Sequence, residues 1–185
     1  MEELRTFLTI QGLDENTIVI FQSDNGHSTE VRTLGGGGYC GDYRGGKFSL
    51  FEGGIRVPAI VSWIGHFPEG EVRNQIAMNV DWFPTIAELC NISTGGLELD
   101  GKNLLPLIKE GTLESPHDVL HFDFEKQWAV RYGDWKLISD AIDVLPNDKN
   151  KVLEGLYFTN LKKNPSESEN LKDKYPAKGQ RTFNA

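Results

Sequence analysis

The sequence predicts a mixed α/β domain followed by a small antiparallel sheet. A helix-like pattern, a short polar turn and a continuous apolar, β-branched run, Thr17–Phe21 (T-I-V-I-F), signal the first part. Such a run is how a strand covered on both faces reads. The second part begins after Pro116, where short strand-like segments alternate with turn residues.

Taken in order, residues 2–13 place Leu4, Phe7, Leu8 and Ile10 at helical spacing, and Gly12 supplies the stop. Asp14, Glu15 and Asn16 make a polar turn, and the strand that follows runs into Ser23-Asp24-Asn25-Gly26-His27. Residues 34–46 are glycine-rich and without periodicity, with four consecutive glycines at 35–38. Long irregular segments in compact domains commonly carry function. Ile55 to Trp63 is a second buried-strand candidate, with Pro58 near its start. Asn79 to Cys90 reads as a helix with Asp81 near its N-terminus and Pro84 in its first turn, and Leu104 to Lys109 as a shorter helix closed by Gly111. Strands are then expected at Val119–Phe124, Trp128–Arg131, Trp135–Ile138 and Leu156–Asn160. Tyr132-Gly133-Asp134 joins the middle two, and a polar loop over 143–154 precedes the last. The expected division is 1–115 for the α/β part, 116–171 for the antiparallel subdomain and 172–185 for a polar, frayed tail.

The chain has 185 residues with 27 acidic and 19 basic side chains, a net charge of −8, which argues against a basic face for duplex nucleic acid. Its longest near-apolar stretch, 57–64, is too short to span a bilayer, and no basic and apolar leader is visible after Met1. Neither nucleic acid nor membrane is therefore expected as a partner. Two cysteines, Cys40 and Cys90, make at most one disulfide and leave the redox compartment open. Asn91-Ile92-Ser93 fits the glycosylation sequon.

Asp24 and Asn25 stand side by side at the end of a predicted strand, where open α/β sheets place their ligands. A carboxylate and an amide oxygen suit a hard cation, although Asp-Asn-Gly also forms a turn without any metal. His27 can bond an oxyanion, act as an acid, bind a metal, or simply be an exposed polar residue. In Arg44-Gly45-Gly46-Lys47, glycines allow close backbone approach and Lys47 supplies a mobile charge for an anion; the alternative is a flexible loop with two solvated cations. The spacing is not that of a P-loop. Arg56 fits an anion contact or, better, a structural brace to Glu52.

S-D-N-G-H at 23–27, R-G-G-K-F-S-L-F-E-G-G-I-R-V-P at 44–58 and V-D-W-F-P-T-I-A-E-L at 80–89 together resemble the sulfatases of arylsulfatase type. Further segments are similar to the family at 100–108, 129–138 (A-V-R-Y-G-D-W-K-L-I), 155–161 and 165–171 (P-S-E-S-E-N-L), so the resemblance runs over residues 2–171. It implies an alkaline-phosphatase-like α/β sheet with flanking helices plus a small C-terminal four-stranded antiparallel sheet. It also implies calcium as cofactor, held in part by Asp24 and Asn25, with Lys47 contacting the sulfate. It offers His27 a substrate-side role at a position where members vary, and it makes Glu52, Arg56 and Pro58 structural.

The departure from the family is the nucleophile. Sulfatases use a formylglycine made within C/S-x-P/A-x-R, whereas Cys40-Gly41-Asp42-Tyr43-Arg44 has Asp42 at the third position and lies on the wrong side of the Asp-Asn pair, so it is rejected. The paired aspartates of the family's first half are also missing. The expectation is the C-terminal portion of a sulfatase: inactive alone, an incomplete calcium site, formylglycine in a missing N-terminal half, and a sulfate ester of carbohydrate or aryl type as substrate. That missing half is the expected partner. Self-association through uncovered surfaces is also expected, as is a periplasmic or extracellular location for the parent enzyme. Two alternatives are a non-catalytic module binding an anion or carbohydrate, and a phosphoester or phosphonate hydrolase fragment. The latter would put Asp-His where Asp24-Asn25 stands.

Overall fold

A computed structural model describes residues 2–34, 36–111, 114–145 and 150–183. Gly35, residues 146–149 of the expected polar loop and residues 184–185 of the expected tail lie outside the described residues. The chain forms two compact units, one of residues 1–22 and 59–117, the other of residues 23–58 and 118–185.

In the first unit, helix α1 (Glu2–Ile10) begins with two glutamates, favourable at the positive end of the helix dipole. It ends three residues earlier than its apolar pattern suggests, because the Gly12 and Leu13 amides turn back to Thr9 and Leu8. Strand β1 (Val19–Gln22) pairs antiparallel with β2 (Ala59–Ser62), Phe21 standing opposite Ile60. The doubly covered strand read from T-I-V-I-F is not what this chain shows: Phe21 and Ile60 are both more than half exposed. A two-stranded ladder has too few neighbours to cover both of its faces.

Helix α3 (Trp82–Leu89) follows a 3₁₀ turn over Asn79–Asp81, and its second residue, Phe83, precedes Pro84, whose missing N–H costs nothing in a first turn. The wholly buried Asp81 organises this region. Its carboxylate accepts from the Met78 amide at 2.6 Å, the Lys102 amide at 2.7 Å and His117 Nε2 at 2.8 Å. Thr85 Oγ1 donates to the Asp81 carbonyl and accepts from the Leu104 amide, which leads into α4 (Leu105–Glu110). Among the described residues no helix is long and apolar enough to cross a membrane.

The second unit is an antiparallel meander, β3 (Val119–Phe124), β4 (Gln127–Tyr132), β5 (Trp135–Asp143) and β6 (Lys151–Asn160), in that order. The predicted four strands are present, β5 and β6 longer than read. Helix α5 (Pro176–Phe183) stands where a frayed tail was expected, with the Lys178 ammonium 4.1 Å above the Trp135 ring. Leu50, Phe51, Ala129, Ile138, Ala141 and Tyr157 form the core, which binds the short helix α2 (Glu52–Ile55) to the sheet.

A charge network lies beside that core. Arg131 and Lys136 are directly opposite in the β4–β5 register, a repulsive arrangement unless an anion divides them. Glu52 does so: one carboxylate oxygen is 2.9 Å from Lys136 Nζ and the other 3.2 Å from Arg131 Nη1. Glu167 Oε1 lies 3.1 Å from the same ammonium, while Glu167 Oε2 accepts from the Glu52 amide at 2.6 Å. Glu52, Lys136 and Glu167 are essentially without solvent exposure. Burial pushes the Glu52 carboxyl up, but Lys136 and Arg131 outweigh it and hold it below 4.5. Burial wins at Glu167, whose carboxyl is raised above 4.5 against the pull of the shared lysine.

Removing one member of a buried ionic set strands the others. Lys136→Met, which keeps the volume and deletes the charge, is expected to cost about 3–5 kcal/mol of stability, read from urea unfolding followed by tryptophan fluorescence.

Candidate functional site

The three motif segments of the second unit are held together by main-chain hydrogen bonds. The Gly53 amide donates to the Arg44 carbonyl at 2.7 Å, the Gly26 amide to the Gly54 carbonyl at 2.8 Å, and the Lys47 amide to the His27 carbonyl at 2.8 Å. S-D-N-G-H therefore docks on the Glu52-Gly53-Gly54 turn at one end and on Gly46-Lys47 at the other. Glycine is required where these chains cross. A Cβ on Gly26 would overlap the Gly53 carbonyl oxygen, and one on Gly54 would overlap the carbonyl oxygens of Ser49 and Gly46.

Asp24 is exposed and Asn25 half-buried, with Ser23 Oγ donating to the Asn25 carbonyl at 2.9 Å. His27 is half-buried, its Nδ1 enclosed and without a hydrogen-bond partner. Lys47 is half-buried, its ammonium 5.3 Å from the centroid of the Phe48 ring. The structure thus joins His27 to Lys47 directly and anchors the Asp24–Asn25 turn one residue away from His27, on the Gly53–Gly54 backbone.

The two solvated cations considered for Arg44–Lys47 reduce to one. Arg44 grips Asp143 with Nε at 3.0 Å and Nη2 at 2.7 Å, and its Nη1 donates to Tyr157 Oη and the Glu167 carbonyl. Its guanidinium lies 4.4 Å above the Phe51 ring, and the Asp143 bond raises its pKa further. Burial likewise pushes the Tyr157 phenol up. The Arg56–Glu52 brace is present but long, 3.8 Å; Arg56 is half exposed and rests on the Tyr43 ring. Cys40 and Cys90 are free, and the Cys40 thiol donates to the Tyr43 carbonyl. Asn91 is exposed at the end of α3.

Asp24 and Asn25 offer oxygen donors of the kind calcium takes, but calcium wants six to eight. Among the described residues no group of three or more His, Cys, Asp or Glu side chains is placed to hold a metal. The donors fit calcium in kind, and among the described residues no third such side chain joins them. Lys136, Glu167, Arg131 and Gln127, which hold the motif segments in place, were missed from the sequence. A lysine inside the apolar strand W-K-L-I was the available signal.

The comparisons with known proteins fall on the same segments. The family model described as Sulfatase matches residues 3–92. Arylsulfatase A of Homo sapiens is 38% identical over 139 residues, 72% of this chain and 27% of that protein. Steryl-sulfatase of Mus musculus is 34% identical over 155 residues, 81% of this chain and 25% of its own length. A solved sulfatase of Bacteroides thetaiotaomicron, titled for metabolism of multiple glycosaminoglycans, superposes with a TM-score of 0.81 at 25% identity, covering 99% of this chain and 40% of that one. The chain belongs to the sulfatase family, and it spans about a quarter of the length of these curated relatives.

The crossing at Gly26 makes a local test. Gly26→Ala is expected to cost about 1–3 kcal/mol in chemical unfolding, a usual range for a forced backbone shift. Gly37→Ala, where a Cβ meets nothing within 4 Å, should leave stability within about 0.5 kcal/mol.

Proposed function

We propose that this chain is the C-terminal portion of a sulfuric ester hydrolase, contributing Asp24 and Asn25 to a calcium site and Lys47 to the sulfate group. The observation that supports the reading is the hydrogen-bonded junction of S-D-N-G-H, R-G-G-K and E-G-G, which ties the segments carrying Asp24, Asn25 and Lys47 to one buried turn. Bound calcium would supply charge to polarise the sulfate ester. Lys47 would oppose negative charge developing on the sulfate oxygens, and the bond from the Gly26 amide to the Gly54 carbonyl would keep the Asp24–Asn25 turn from shifting during turnover. His27, whose carbonyl accepts from the Lys47 amide, would then make a substrate-side contact.

Activity is assigned to a longer protein, because no C/S-x-P/A-x-R nucleophile motif occurs in these 185 residues and, among the described residues, no group of three or more His, Cys, Asp or Glu side chains could hold a metal. The uncovered apolar residues of the first unit support this. Phe7, Ile10, Phe21, Ile60 and Phe83 are each more than half exposed, as befits surface meant for the remaining sulfatase chain or, in its absence, for self-association. The relatives are named for aryl and steryl esters and one solved structure for glycosaminoglycans, so an aryl or carbohydrate sulfate ester is the proposed substrate class; a periplasmic or extracellular location of the parent enzyme is proposed from the family resemblance alone. The non-catalytic binding module is the second reading. Asparagine at 25 favours a single hard cation over the two-metal arrangement of phosphoester hydrolases.

The purified chain should turn over no aryl sulfate, with or without calcium. Joined to the coding sequence upstream of Met1, it should gain calcium-dependent hydrolysis, and Asp24→Ala or Lys47→Ala should lower kcat/KM by about 100-fold or more. Turnover by the chain alone contradicts the reading. Saturable binding of a sulfated sugar, with no activity in the extended protein, favours the binding module.

A further inference from the structure

Phe48, the residue after Lys47, has φ +78°. A bulky side chain in left-handed backbone is strained, and glycine would make the same turn freely. The aromatic ring must therefore return something that a bare turn does not. Two partners hold Phe48 in place. Its ring stacks on Phe124, centroids 6.0 Å apart, and its carbonyl accepts from Gln127 Nε2 at 2.7 Å. Gln127 is almost wholly buried, and its Oε1 takes the Leu50 amide at 3.3 Å and the Ile142 amide at 3.2 Å. Both ends of the amide thus bond the backbone, at Phe48, Leu50 and β5. What the fixed ring presents is a face to the Lys47 ammonium, 5.3 Å from its centroid and within cation–π range.

We propose that Phe48, clamped by Gln127, is a positioning residue that fixes where the Lys47 ammonium stands. A lysine stem has four rotatable bonds and is costly to order. A ring at its side narrows those rotamers before any anion arrives, which is preorganisation. That Lys47 meets sulfate rests on the function proposed above; that Phe48 holds it does not.

The test uses the intact chain with its lysines dimethylated with ¹³C, a change that keeps their charge. Lys47→Arg identifies the Lys47 methyl signals. Ring current should move them upfield of those of Lys102 and Lys109, as it should the signals of Lys178, whose ammonium lies 4.1 Å from the Trp135 ring centroid. Phe48→Leu should abolish the displacement. Phe48→Gly, which relieves the left-handed strain and so protects folding, should abolish it equally, and Gln127→Leu should shrink it while leaving the ring present. Lys47 signals coincident with those of Lys102 in the unmutated chain overturn the proposal, as does an undiminished displacement in a folded Phe48→Gly protein. Titration with inorganic sulfate judges the other reading separately. A saturable shift confined to Lys47 supports the sulfate contact, and an equal drift of all lysine signals counts against it without altering the ring-current result.

Discussion

The interaction on which the second unit depends is the Glu52 carboxylate between Arg131 and Lys136. Two cations opposite each other on adjacent strands would force β4 and β5 apart, and a lone carboxylate buried beside the core would be driven to protonate. Each problem cancels the other because the oxygens of Glu52 are divided, one to each cation. Glu167 completes the arrangement from the far end of the chain, giving one oxygen to Lys136 and the other to the Glu52 amide. Segments some 115 residues apart in sequence are thereby fixed to one turn.

That turn is also where the loops carrying the candidate site residues dock. The backbone of Gly53 and Gly54 receives the Arg44 and Gly26 strands of chain at separations that leave no room for side chains. Arg44 adds a second clamp, reaching Asp143 on β5, Tyr157 on β6 and the Glu167 carbonyl. The C-terminal sheet thus holds the glycine-rich loops rather than merely following them in sequence. The structural contacts around Lys47 and the Asp24–Asn25 turn are carried largely by the backbone of the neighbouring glycines and by Arg44.

The sequence was most informative where structure is local. Val119–Phe124 matches β3 at both ends, the Gly133 turn joins β4 and β5, and Asp81 and Pro84 mark the start of α3. It was least informative where burial depends on distant neighbours. T-I-V-I-F reads as a doubly covered strand, yet what covers a strand is not encoded in its own period, and Phe21 is open in this chain. Arg44 and Lys136 look alike in sequence to any solvated cation, and only contacts roughly 80–120 residues away turn them into a half-buried and a buried clamp. For the site, the ordered motif blocks revealed the candidate ligands through family resemblance, whereas spacing alone left each one balanced against a turn or a surface loop.

Native-state hydrogen exchange on the amides of Gly26, Lys47 and Gly53 tests most directly whether the buried network holds the functional loops. Loop amides bonded only to one another would open locally at little cost, whereas amides tied to a core element open with it. The account predicts that these three exchange with the same opening free energy as the β5 and β6 amides and respond to denaturant with the same slope. Rapid exchange of the three while β5 and β6 stay protected would contradict it, and would mean that the loops move independently of the Glu52–Lys136–Glu167 cluster.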